Sequence, residues 1–170
     1  MEKEKEIKST IKEIMPYIII IFVVILIRTF IVTPIKVNGT SMSETLQHGD
    51  TMLLNKISMK FNKINRFEIV VIKTSDSYLI KRVIGLPGET IEYKDGILYI
   101  NNKKVKDPYY KDKNTIDFEK VTIPKNNYFV MGDNRGDSID SRIIGCIEKE
   151  DILGTTKLII FPLSDIGIAK

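Results

Sequence analysis

Hydrophobic positions change character sharply along this chain. From Pro16 to Val32 it reads PYIIIIFVVILIRTFIV, unbroken apolar sequence from Ile18 to Ile27 and interrupted after that only by Arg28 and Thr29. Such a run is apolar on every face of a helix, and a domain this small could hardly bury all of them. Beyond it the apolar stretches are short and rich in β-branched residues. RFEIVVIK (Arg66 to Lys73) and YLIKRVIG (Tyr78 to Gly85) predict two strands separated by the polar turn TSDS. GLPGE (Gly85 to Glu89) is a Pro/Gly turn. TIEYKDGILYINNKKV then carries Asp95-Gly96 as a two-residue hairpin signal and Asn101-Asn102 as a second turn. Lys106 to Lys120 is polar and predicts a loop, and NNYFVMGDNR leads another short strand into a turn-rich segment, Gly132 to Ser141. No internal repeat and no second long helix is evident. The predicted fold class is mainly β, an antiparallel β-sheet domain with one N-terminal transmembrane helix.

The apolar run sits at the short end for a bilayer span, which takes ~20 residues. Arg28, near one end, could snorkel to the interface. A cleaved signal peptide is the alternative, but no small-x-small site follows and the chain has one alanine, Ala169. The expected division is therefore a tail over 1–14, an anchor over 15–33 and a β-rich domain over 34–170. Lys3, Lys5, Lys8 and Lys12 precede the run, against Arg28 and Lys36 around its far end. That slight asymmetry favours a cytoplasmic N-terminus. KLIIFPL (Lys157 to Leu163) is too short for a second span.

Composition narrows the function classes. The 170 residues fit one modest domain plus an appendage, and the net charge of +4 comes from scattered lysines rather than a patch. There is no Gly-rich phosphate loop, no Cys/His metal spacing and no nucleic-acid signature, so no cofactor, metal or nucleic acid is expected. The single cysteine, Cys146, rules out an intrachain disulfide and reads as a small buried hydrophobe. The single histidine, His48, reads as a surface or loop residue.

Three stretches could carry chemistry. NGTSMSETL (Asn38 to Leu46) places Ser41 in a flexible loop soon after the apolar run. A nucleophilic serine needs a base, usually histidine, and this chain offers few. Lys81 shares one face of its predicted strand with Leu79 and Val83, while Arg82 shares the other with Ile80 and Ile84. Apolar neighbours penalise the ammonium and lower its pKa, which would make Lys81 a competent base. Equally, one of two adjacent basic residues could snorkel off an edge strand, and with both faces apolar the periodicity does not choose. GDNRGDSIDSR (Gly132 to Arg142) could build a hydrogen-bonded network, a calcium loop or a plain solvated turn. The flanking helices and terminal glutamate of an EF-hand are missing.

Taken together, SM after an apolar anchor, KRVIGLPGE in the middle and GDNR-x-x-S-x-DSR late in the chain resemble the bacterial type I signal peptidases, the Ser-Lys proteases of protein export. The match runs from about Val32 to the end, in the same order and spacing. The resemblance implies that Ser41 is the nucleophile and Lys81 its general base, with Ser138 hydrogen-bonding and orienting the lysine. It implies that Asp140 and Arg142 pair and brace the site, and that Asp133 and Arg135 occupy further supporting positions. The domain would be extracytoplasmic, its site close to the outer face of the cell membrane and its lipid. Its partners would be secretory preproteins, cut after small residues. Candidates to line the substrate pockets are Ile35, Val37, Gly39, Met42, Leu79 and Ile80.

Two positions depart from the family pattern. Glu44 stands where many members have proline, in SMSET rather than SM-x-P-T, and is expected to face solvent. Gly39 stands where some members carry a serine that helps the oxyanion hole, so backbone would have to supply that donor. The short stretch between the lysine and GDNR motifs resembles the minimal Gram-positive form. Two other readings compete. A self-cleaving Ser-Lys regulator would need its own Ala-Gly or Cys-Gly target upstream, which is absent before Ser41. A non-catalytic membrane-anchored homologue that binds secreted chains has only Glu44 in its favour.

Overall fold

The apolar run folds as part of one long helix, α1 (Glu2–Phe30), in the computed structural model of the protein, which describes residues 2–60, 64–75, 77–109 and 117–169. Its stretch Thr10–Phe30 is long and apolar enough to cross a membrane, and none of that window is buried against the rest of the chain. The helix continues N-terminally past Pro16, which the polar tail over 1–14 did not suggest. Proline removes one backbone donor but leaves the flanking turns bonded. At its other end the helix stops at Phe30 and β1 (Val32–Lys36) begins at once, so the β-domain starts two residues before the expected boundary at 34. The junction is stitched. Thr33 Oγ1 donates to Arg28 O at 2.9 Å, Lys56 Nζ to Thr29 O at 3.1 Å, and Lys56 N–H to Ile31 O at 3.0 Å.

Past the helix two antiparallel sheets form. The larger has eight strands, with β1 at one edge, then β2 (Thr51–Asn55), β11 (Ile152–Phe161), β3 (Ile69–Lys73), β4 (Tyr78–Gly85), β9 (Asn127–Met131) and β10 (Ile147–Glu148). The short β12 (Gly167–Ile168) pairs with β11. The smaller sheet orders β7 (Lys103–Val105), β6 (Ile97–Ile100), β5 (Thr90–Lys94) and β8 (Phe118–Thr122). Helical turns α2 (Ile57–Lys60) and α3 (Ser141–Ile144) complete the elements used below.

Both expected two-residue turns are present, with positive φ at Asp95, Gly96, Asn101 and Asn102, the geometry whose twist matches paired strands. The predicted loop over 106–120 needs correction at its end. Residues 110–116 lie outside the described residues, but Phe118 to Lys120 belong to strand β8. Its side chains are mostly polar because it is an edge strand, and Phe118 stacks on Phe129 with ring centroids 5.1 Å apart.

Strands β3 and β4 are buried on both faces, which is why their sequences run apolar without alternation. One face joins Ile69, Val71 and Ile80 to Met42, Leu46 and Met52 in a cluster beneath the serine loop. The other joins Val70, Ile72 and Val83 to Tyr128, Val130 and Ile152. The smaller sheet packs Ile91, Tyr93 and Leu98 on Ile84, Phe129 and Met131. Cys146 edges that last cluster but is half-buried rather than enclosed, and burial pushes its thiol pKa up. The serine loop is thus pinned from below by Met42 and Leu46, each stabilising by about 1.5–3 kcal/mol when fully buried.

Candidate active site

Ser41 lies in a tight turn between β1 and β2. Leu46 N–H donates to Met42 O at 2.7 Å and Ser43 N–H to Thr40 O at 3.0 Å, so the turn is almost helical. Asn134, from the loop after β9, clamps it from above. Its N–H donates to Ser41 O at 3.0 Å, and its Nδ2 donates to Thr40 O at 3.2 Å and to Ser43 Oγ at 3.1 Å. Thr40 Oγ1 donates to Asp137 Oδ2 at 2.9 Å. Gly132 lets the two loops meet, because a Cβ there would collide with Ser41 O and the Ser138 side chain.

Lys81 reaches this turn from β4. Its Nζ lies 2.6 Å from Ser41 Oγ, and the residue is only 3% exposed. Burial holds the amine below the ordinary lysine pKa. Asp140, Asp133 and Asp137 oppose that shift from a distance, while the Arg142 guanidinium adds to it. No carboxylate is ion-paired to Lys81 among the described residues, because the nearby ones are engaged elsewhere. Lys81 Nζ donates to Ser41 Oγ in this arrangement, and that oxygen is the polar partner the amine meets.

Those engagements explain the dense polar loop. Asp140 is fully buried and receives both Nε and Nη2 of Arg142 at 2.8 Å, plus the Gly132 N–H at 3.0 Å. Burial raises its pKa, but the bonds from Arg142 and Gly132 outweigh it and the carboxyl sits below its usual range. Arg142 Nη1 also donates to Arg135 O at 2.8 Å. Asp133 takes a two-pronged pair from Arg82, at 2.8 and 2.6 Å, and a 2.6 Å bond from Thr45 Oγ1. Arg135 ion-pairs with Asp107 at 2.7 Å and donates to Tyr93 OH at 3.0 Å, tying the loop to the smaller sheet. Asp133 and Asp140 thus receive arginine donors, and Asp137 receives the Thr40 hydroxyl.

Ser138 is placed less directly. Its hydroxyl is buried against Gly132 and contributes to lowering the Asp140 pKa, without the alignment of a hydrogen bond to any partner among the described residues. His48 is exposed, as expected, but its Nδ1 accepts from Gly39 N–H at 3.2 Å and so holds the entry to the serine turn. Glu44 is exposed and is not among the largest charges acting on Lys81.

A small cavity of about 30 Å³ opens beside the serine. Val37, Gly39, Met42, Leu79 and Ile80, all expected there, line it together with Asn38 and Tyr78, which were not. Ile35 does not line it and packs into the cluster below. Arg82, Thr45 and Asn134 are among the other residues missed. Their signal was slight, since Arg82 reads as one of two basic residues on a strand with two apolar faces.

A mainly antiparallel β-domain carrying one long apolar helix, with a buried amine on a loop serine, defines the kind of protein in hand. The family model for "Signal peptidase, peptidase S26" matches residues 7–161. The chain is 42% identical to signal peptidase I T of Bacillus subtilis over 166 residues, covering 90% of this chain and 86% of that protein. It is 40% identical to a signal peptidase I of Bacillus licheniformis, covering 97% and 96%. The solved structure of a signal peptidase I from Enterococcus faecalis V583 aligns with a TM-score of 0.50 at 34% identity, covering 55% of this chain and 96% of that one. The protein belongs to the signal peptidase I family of S26 peptidases.

Proposed function

We propose that this protein removes signal peptides from exported preproteins as a membrane-anchored serine endopeptidase working through a Ser41–Lys81 dyad. The observation that carries the reading is the 2.6 Å approach of Lys81 Nζ to Ser41 Oγ, with the amine desolvated and without an ion-paired carboxylate among the described residues. Lys81 takes the hydroxyl proton as Oγ attacks the carbonyl after the signal peptide's last residue. The ammonium so formed protonates the leaving amine, and a water repeats the cycle on the acyl-enzyme. The Ser41 N–H has no backbone acceptor among the described residues and is the donor assigned to the developing oxyanion, worth about 3 kcal/mol for one such donor.

Substrate adds as an extended strand between β1 and β4, with the small cavity accepting small side chains before the cut. Val37, Met42 and Leu79 crowd this small cavity, which favours small side chains. Helix α1 anchors the domain from the cytoplasmic side and leaves the site extracytoplasmic, close to where a signal peptide emerges from the lipid.

The test uses full-length protein in lipid with a precursor bearing a small-x-small site, beside Ser41→Ala and Lys81→Ala. Cleavage at that site by the wild type alone is the expected result. Binding of several precursors without cleavage would instead make the chain a non-catalytic homologue.

A further inference from the structure

The cleft between β1 and β4 offers an incoming strand a limited set of free backbone groups, and strand geometry identifies them. Val37 N–H donates to Asp50 O at 2.7 Å and Val37 O accepts from Gly49 N–H at 2.9 Å, so Val37 turns toward β2. Backbone groups alternate in direction along a strand, so Lys36 and Asn38 present theirs to the cleft. On β4, Val83 N–H donates to Glu68 O at 2.9 Å and Val83 O accepts from Phe67 N–H at 2.7 Å. Pairing between β3 and β4 is regular from Tyr78 to Arg82. Counting back by twos turns Lys81 and Leu79 toward β3, and leaves Ile80 and Tyr78 facing the cleft. The cleft therefore has a near rung, Asn38 and Ile80, beside Ser41. A far rung, Lys36 and Tyr78, lies about 7 Å further away, the two-residue repeat of a strand.

The far rung is already occupied. The Tyr78 side chain spans the cleft, and its hydroxyl donates to Lys36 O at 2.6 Å and accepts from Lys36 N–H at 3.1 Å. These are the two groups an added strand would use there, and one hydroxyl satisfies both.

Resting on the reading of this cleft as the substrate's, we infer that Tyr78 is a specificity-determining residue: its hydroxyl competes for the Lys36 backbone pair and confines substrate pairing to the residues next to the cut. A substrate gains nothing from Lys36, because each hydrogen bond it makes there replaces one that the Tyr78 hydroxyl already makes. Affinity then comes from the near rung and the small cavity, so recognition concentrates on the few residues before the scissile bond. Phenylalanine would keep the ring and free the pair.

The experiment compares wild type and Tyr78→Phe, both full-length in phospholipid–detergent micelles. The substrates are peptides spanning a small-x-small site in which each of the four amides before the cut is replaced in turn by an ester, removing one N–H at a time. In wild type, penalties should be confined to the amides nearest the cut. In Tyr78→Phe a further penalty of about fivefold, the size of one net hydrogen bond, should appear two or more residues back, in KM rather than kcat. A merely structural tyrosine would change all peptides alike. Superimposable ester profiles for the two proteins, with the wild type cleaving, would overturn this inference alone. If the wild type cleaves none of the peptides, the reading of the cleft falls and the inference with it.

Discussion

Lys81 and Arg82 are consecutive on β4, both basic and both almost wholly buried, at 3% and 2% exposure, yet the two faces of the strand treat them in opposite ways. Arg82 meets a carboxylate in two-pronged geometry, donates to Phe67 O at 2.8 Å and lies over the Tyr109 ring at 3.3 Å. Lys81 meets a hydroxyl at 2.6 Å and feels carboxylates only at a distance. One face satisfies a charge and the other disfavours one. Burial alone therefore says little about the role of a basic residue; the nearest acceptor decides it. The same strand supplies a brace and a base because its side chains alternate.

Removing each residue should break this comparison in a different way. Lys81→Met keeps the volume and removes the base, so kcat/KM should fall by about a thousandfold or more. Stability should hold or rise in the same variant, because a desolvated amine gives way to an apolar chain. Arg82→Met should do the reverse at the level of folding. It strands Asp133 in the interior and should destabilise the domain by about 3–5 kcal/mol in urea unfolding. Adding Asp133→Asn should recover part of that loss. If Lys81→Met unfolded the protein while Arg82→Met melted normally, the assignment of the two faces would be reversed.

The pH profile sharpens the Lys81 side. Only the neutral amine accepts the serine proton, so kcat/KM should rise with pH through the lysine's titration, which burial sets below its ordinary range. Asp140 is the largest of the charges opposing that shift, so Asp140→Asn should move the rising limb to lower pH. Arg142 acts the other way, both by lowering the lysine directly and by pairing Asp140, so Arg142→Gln should move the limb to higher pH. Limbs that stayed put in both variants would mean that the lysine does not control the rate.

What could be read in advance follows how local each signal is. The hairpins at Asp95-Gly96 and Asn101-Asn102 were legible because turn chemistry is settled within four residues. Strand β11 was not read, although its ten residues lie between β2 and β3 in the larger sheet. Gly154 stands where a side chain would strike Asn55 and Leu54, and register shifts interrupt the alternation on both neighbours. The pairing of Ser41 with Lys81 joins residues forty positions apart, and periodicity gave no choice between Lys81 and Arg82. The order and spacing of three motifs suggested that juxtaposition. The Arg82–Asp133 pair and the Tyr78 bridge had no such pattern to expose them, since each depends on two loops or strand ends meeting in space.

Glu44 gives the smallest expected effect and the finest test of the comparison. It lies three residues from the nucleophile, yet it is exposed and is not among the largest charges acting on Lys81. Solvent screens such a charge, whereas Asp140 acts through the protein interior. Glu44→Gln should therefore leave kcat/KM within about twofold, the range of an ordinary surface substitution, and leave the rising limb where the wild type has it. A limb displaced to lower pH, as in Asp140→Asn, would mean that the carboxylate turns inward and helps keep the lysine protonated. The departure from proline at this position would then tune the base directly.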